Sequence, residues 1–230
     1  MKKAFYFLII VSSSAAAQNS FFDQANNFFS TYVKEGAVDY DAITQDRSKL
    51  DALVNKIASY DLTGADKITK KAFMINAYNI LAVKGIVDHY PVKSPFDIKD
   101  FFDAKHFTVA GEKMSLNILE KERLYPMTQD PRLHFVLVCA AVSCPKLADF
   151  AYVPSTLDRQ LEQKTKQVLN DDEFIRVSGK KVKVSELFNW YANDFKSSGK
   201  SIIDYINYYR DTPLPSNKYG YYTYDWSLNK

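Results

Sequence analysis

Residues 134–147 read His-Phe-Val-Leu-Val-Cys-Ala-Ala-Val-Ser-Cys-Pro-Lys-Leu and hold both cysteines of the chain and one of its three histidines. A thiol and an imidazole in one short segment are parts of a nucleophilic site, in which the thiolate attacks an acyl carbon, the imidazole moves the proton and a third group orients the base. Cys144 stands just before Pro145. Proline is favoured at the first helical position, so Cys144 is placed where a helix N-terminus would lower a thiol pKa. Two other readings compete. A Cys139–Cys144 disulfide suits an even cysteine count, and closing so short a loop would stabilise the fold by about 2 kcal/mol. Both residues can equally be small buried hydrophobes, a common fate of free cysteine. The first two readings exclude each other in the resting chain. A redox-exchange role is weaker, because C-x₄-C lacks the tight spacing of exchange motifs.

Spacing limits the nucleophile reading. Five residues separate His134 from Cys139, which puts their side chains on opposite faces of a strand and well apart on a helix. A turn over residues 140–143 would bring Cys144 back toward the histidine's face. His89 and His106 are alternative bases, distant in sequence. His134 alone is more often a satisfied core residue than a catalyst. Glu120 and Glu122 offer carboxylates, although charges on a short helix usually belong to its solvated face. Asn76 and Asn79 interrupt the most apolar stretch of the chain, where a buried amide needs hydrogen-bond partners. Such amides tie a helix to a neighbouring loop, or they orient a base or a polar substrate. The candidate catalytic set is therefore Cys139 or Cys144 as nucleophile, His134 as base, and Glu120 or Asn76 as orienter.

Other chemistries find little support. The histidines lack close ligand spacing and no C-x-x-C pair is present, so no metal site is expected. With seven glycines and no phosphate-cradling loop, no nucleotide or other cofactor is expected. The formal charge is +3, too even a balance to mark a nucleic-acid or anionic-membrane partner. The partner expected is a small-molecule or peptide-like ligand. Tyr and Phe number 16 each, and the tyrosines crowd toward the C-terminus. Core packing explains them most simply; a surface for sugar or peptide is the sharper alternative.

Several elements must position these residues. Lys2 and Lys3, the apolar run Ala4–Val11 and the small-residue site Ala15–Ala17 have the order of a secretory signal peptide, with cleavage after Ala17. The run is too short to cross a bilayer, and no later segment is long and apolar enough to do so. An exported protein, periplasmic or extracellular, is expected, with residues 18–230 as a single domain. Residues 21–33 read as an amphipathic helix, and Leu50, Leu53, Val54 and Ile57 mark a second. Residues 70–90, apolar nearly all round, predict a central helix stopped by Pro91 and Pro95. Hairpins are expected around Gly111-Glu112 and Gly179, and a helix over 117–125. Ser155 and Asp158 have capping-box spacing for a helix ending at Leu169. Ser185 and Ser201 can cap two late helices, and residues 219–226 read as a closing strand. Helices and hairpins mix without a βαβ rhythm, so the class is α+β: helices around a central apolar helix, with antiparallel hairpins and a small sheet.

The cysteine segment, together with Lys71-Ala-Phe-Met-Ile-Asn76-Ala-Tyr-Asn79, Tyr90-Pro-Val-Lys-Ser, Gly111-Glu-Lys-Met-Ser-Leu-Asn117 and the tail Tyr224-Asp-Trp-Ser-Leu-Asn, resembles the family known as domain of unknown function 547. The resemblance implies no settled activity. Two hypotheses therefore stand: a cysteine-dependent hydrolase or acyl transferase acting on peptide-like or amide substrates, and a non-catalytic envelope module that binds a ligand or partner with Cys139–Cys144 as a staple.

Overall fold

The structure, a computed structural model, describes residues 12–103 and 107–230. His106 and residues 1–11 of the expected leader lie outside the described residues. Helix α1 (Ser12–Tyr32) begins earlier than expected and runs through the alanine-rich stretch, as the high helix propensity of alanine favours. It buries Phe21, Phe22, Phe28, Phe29 and Tyr32. A tight turn follows between β1 (Val33–Lys34) and β2 (Ala37–Val38), with Val33 opposite Val38. Gly36 in that turn has φ +92°, and a Cβ there would lie 2.9 Å from the Lys146 Cα. The turn thus seats directly on the segment that follows the second cysteine. Helices α2 (Tyr40–Gln45) and α3 (Ser48–Ser59) come next, the latter burying Leu50, Leu53 and Ile57.

Helix α4 (Lys67–Val87) is the expected central helix. Asp66 opens it by accepting a hydrogen bond from the Thr69 amide at 2.7 Å, as an N-cap aspartate does. Between Ala72 and Val87 it is buried on nearly every face. Gly85 is required there: a Cβ would come within 2.7 Å of the Phe101 ring. Strands β3 (Phe107–Val109) and β4 (Glu112–Met114) form the first hairpin, turning at Ala110-Gly111. The expected helix after it has π geometry over Ile118–Leu124 and leads into α5 (Tyr125–Thr128).

A 3₁₀ helix, Pro131–Phe135, starts the segment of chemical interest, and residues 136–153 then form neither helix nor strand. Buried backbone without a ladder must find partners elsewhere, and α4 supplies them. The Asn79 amide donates to the Val136 carbonyl at 2.8 Å and accepts from the Val138 N–H at 2.9 Å. Asn76 does the same for Tyr152, donating to its carbonyl at 2.7 Å and accepting from its N–H at 3.0 Å. The tail contributes the rest. Ala141 bridges Leu228, and the Val142 N–H donates to the Ser227 carbonyl at 2.8 Å.

Helix α6 (Leu157–Leu169) is entered through a 3₁₀ turn, Pro154–Thr156. The expected capping box does not form. Thr156 occupies the cap without a side-chain bond, and the Asp158 carboxylate accepts instead from Arg132 at 2.7 Å; a charge-assisted bond to a guanidinium outcompetes a neutral amide. Strands β5 (Ile175–Ser178) and β6 (Lys181–Val184) form the second hairpin. Short helices α7 (Leu187–Trp190) and α8 (Ala192–Lys196) precede α9 (Ile202–Tyr209), which Ser201 caps as expected. Ser185 is the second expected cap, and its hydroxyl accepts from the Leu187 N–H at 3.3 Å. The closing strand shrinks to β7 (Gly220–Tyr221), parallel to β6, because the residues beyond it pair with the cysteine loop rather than with the sheet. The outcome is a small α+β fold with two apolar clusters, one around α1, α3 and α4 and the other around β5, β6 and α7–α9. Phe135 belongs to the second while Leu133 and Val136 belong to the first, so the segment bearing His134 runs along the seam.

Asp130 anchors that segment. Its carboxylate caps the 3₁₀ helix through the Arg132 N–H and pairs with Lys71 at 2.5 Å and with the Arg132 guanidinium at 2.9 Å. Burial opposes ionisation of Asp130, but the Arg132 hydrogen bonds and the Lys71 charge prevail and hold its pKa at about 2. A carboxylate depressed below its unfolded value stabilises the fold above about pH 4, and that contribution fades as pH falls toward 2. Asp130→Asn should cost about 2–4 kcal/mol at neutral pH, by leaving Lys71 and Arg132 short of countercharge. It should also flatten the dependence of stability on pH between about 4 and 2, read from denaturant titrations across that range. Asn79→Ala should cost about 2–4 kcal/mol by chemical denaturation, since it strands a buried N–H and a buried C=O together; a loss below about 0.5 kcal/mol would show that the clamp is redundant.

Candidate functional site

The π-helix decides what Glu120 does. Lys121, Glu122 and Arg123 are exposed, so Glu122 lies on the solvated face as expected. Glu120 does not: it is 5% exposed. The wider turn of a π-helix, an arrangement that recurs at functional sites, carries its carboxylate inward. There it meets Tyr78 of α4 and Tyr191, between α7 and α8. Burial first, and then the neighbouring Glu120 charge, push both hydroxyls above the usual tyrosine range.

His134 stands beside it, buried in the 3₁₀ helix. Its ring is stacked between Tyr191, at 3.9 Å between centroids, and Tyr125, at 5.5 Å. Both nitrogens face carboxylates. Nε2 is 2.9 Å from Asp194 Oδ2 on α8, and Nδ1 is 3.9 Å from Glu120 Oε1. A histidine held this way is fixed in orientation, with its two polar edges already directed at acids.

These residues form the floor of a cavity of about 200 Å³ that opens beside a shallower hollow of about 520 Å³; Glu120, Lys121, His134, Trp190, Tyr191 and Trp226 border both. One wall is aromatic. Trp190 and Trp226 stack at 5.7 Å with 23° between planes, Tyr224 lies 4.6 Å from Trp226, and Phe96 packs edge-on to Trp226 at 4.4 Å. Trp190 is 48% exposed and Phe96 60% exposed, so large rings are presented outward where burial would ordinarily hide them. The other wall is Cys139 and Cys144, joined in a disulfide with Cα atoms 6.2 Å apart. Cys139 Sγ lies 3.3 Å from the Tyr224 hydroxyl, which connects the two walls. Within the disulfide loop, Ala140 adopts φ +60°. That conformation is costly for a residue with a Cβ, and it is held by the bond from the Asn229 N–H to the Ala140 carbonyl at 3.2 Å.

Of the residues singled out from sequence, Cys139, Cys144, His134 and Glu120 therefore border one cavity, although no strand or helix joins the cysteines to the histidine. Asn76 lies apart, with its amide engaged by Ala72 and Tyr152. His89 is exposed at the end of α4, its Nδ1 3.1 Å from the Gly85 carbonyl. Sequence reasoning missed Asp194, Tyr191 and the pair Trp190 and Trp226. The aromatic crowding of the C-terminal third was their signal, and core packing accounts for only part of it. Among the described residues, no cluster of His, Cys, Asp and Glu could hold a metal ion, and no helix is long and apolar enough to cross a membrane.

No curated protein and no solved structure matches the chain. Residues 62–169, which carry α4, Glu120, His134 and both cysteines but not the tryptophan wall, match the family described as Protein of unknown function, DUF547.

Proposed function

We propose that this protein is an exported, non-catalytic binding module whose cleft takes a small-molecule or peptide-like ligand, with the Cys139–Cys144 disulfide as a staple in its wall. The leader-like order of residues 2–17 supports the compartment, and a disulfide suits an oxidising one. The observation that carries the reading is the state of the cleft. Its cysteines are joined and its histidine is committed to Asp194 and Glu120, while Trp190, 48% exposed, is presented at the cleft wall. Aromatic walls with a few convergent polar groups are the usual composition of a ligand site.

One observation favours the second reading, a cysteine-dependent hydrolase or acyl transferase for peptide-like or amide substrates: both sulfurs, His134 and Glu120 share a cavity. That reading needs reduced thiols, since the thiolate is the nucleophile. It also needs His134 to exchange a carboxylate for a sulfur.

Native alkylation with iodoacetamide, mapped by mass spectrometry, should label neither cysteine until reductant is added. Reduction should lower stability by about 2 kcal/mol. Rapid labelling of Cys139 or Cys144 in the untreated protein would sink the staple and favour the thiol nucleophile. Trp226→Ala should weaken ligand binding about tenfold through lost stacking, whereas Cys139→Ser with Cys144→Ser should leave binding within about threefold of the parent at a temperature where both proteins are folded. Loss of all binding in the cysteine variant would argue against a purely structural disulfide.

A further inference from the structure

We infer that the ligand of this cleft is an organic cation, an ammonium or guanidinium group carried by a free amine or by a peptide side chain. This deepens the binding reading above and rests on it.

Charge is the first ground. Glu120 has its side chain 7% exposed and no lysine or arginine ion pair to it occurs among the described residues; beside the neutral hydroxyls of Tyr78 and Tyr191, its one potentially cationic neighbour is His134 at 3.9 Å. Asp194, with a side chain 26% exposed, shares that same histidine. Whichever protonation state His134 takes, two carboxylates outnumber it. Asp103 adds a third acid to the lining, its Oδ1 accepting from Asn117 at 2.6 Å, and the opposing Lys121 is exposed at the rim. A desolvated carboxylate is costly unless a positive group compensates it. An anionic ligand would worsen that imbalance, and a neutral one would leave it as it is.

The walls are the second ground. Trp190, Tyr191, Tyr224 and Trp226 line the same cavity as Glu120 and Asp103, and aromatic ring faces carry the negative lobe of the quadrupole and attract cations within about 6 Å. Tryptophan is the strongest such platform. The volume is the third. At about 200 Å³ the cavity is smaller than the roughly 300–1,000 Å³ that enclose a drug-sized molecule, which suits a single cationic head group with its stem along the neighbouring hollow.

Both tryptophans of the chain line the cleft, so tryptophan emission reports on this site alone. The full-length protein with its disulfide intact is titrated with butylamine, Nα-acetyl-lysine methylamide and the uncharged Nα,Nε-diacetyl-lysine methylamide. Both amines should change emission saturably, and the diacetyl compound should bind at least tenfold more weakly. Tighter binding of acetyl-lysine methylamide than of butylamine assigns the cation to a peptide side chain; equal or weaker binding assigns it to a free amine. Glu120→Gln, which keeps the shape and removes the charge, should weaken both amines about tenfold and leave the diacetyl probe unchanged. Asp194→Asn, at a more exposed position, should act in the same direction and covers the case in which the Glu120 variant fails to fold, as judged by circular dichroism. Equal binding of the charged and uncharged lysine compounds, or amine binding indifferent to both variants, overturns the cation assignment while leaving the cleft a binding site. No response to any probe overturns the cation assignment, and the binding reading then stands or falls on ligands of other charge tested by the same emission readout.

Discussion

Eighteen consecutive residues without helix or strand, 136–153, run largely through the interior of this protein, and their buried peptide groups need partners that no ladder supplies. That constraint organises the fold. Two asparagine amides on α4 answer it, each offering a donor and an acceptor to one point of the irregular chain, Val136 with Val138 in one case and Tyr152 in the other. An asparagine can do this from a helix because its amide presents both functions on one short, stiff side chain. The cost of an unpaired buried peptide group exceeds the modest helix propensity that asparagine forfeits. The central helix is therefore a template as well as a core element, and the position of the cysteine loop follows from it.

The cleft inherits its chemistry from that placement. His134 enters the seam between two apolar clusters because the Asp130 ion cluster fixes one end of its segment and Asn79 the other. Once there, it is flanked by acids from two elements that are distant in sequence, Glu120 from the π-helix and Asp194 from α8. Neither carboxylate alone would define a site. Together, beneath tryptophan faces, they make a small region that is negative and aromatic while much of its surroundings is apolar. The disulfide belongs to this region as wall material, in contact with Tyr224.

Much of the framework was legible in the sequence because it rests on short-range periodicity. The apolar run of α4, the amphipathic stripe of α3 and both glycine turns follow from local patterns. The competing roles of Cys139 and Cys144 were legible as a choice, and the disulfide that the structure contains is one of its branches. The inward position of Glu120 was not legible, because a π-turn and an α-turn read alike in sequence while directing side chains differently. Asp158 was misjudged for a related reason: spacing suggested a cap, but Arg132 from another element took the carboxylate. The aromatic wall joins Phe96, Trp190 and Trp226 across long separations, and no local pattern encodes that meeting.

The last residues of the chain act as a clasp. Asn229 reaches Tyr40 across 189 positions, its side chain accepting the tyrosine hydroxyl's hydrogen bond at 2.8 Å, while its carbonyl accepts from the Val38 N–H. Leu228 donates to Lys93 and bridges Ala141. One hexapeptide thus fastens the N-terminal turn, the segment after α4 and the cysteine loop at once. During vectorial synthesis none of these joints can close until residues 228 and 229 have left the ribosome, because closure of such long loops waits for its later partner. Until then these joints stay open, and the aromatic cleft is completed by the same segment that supplies part of its wall.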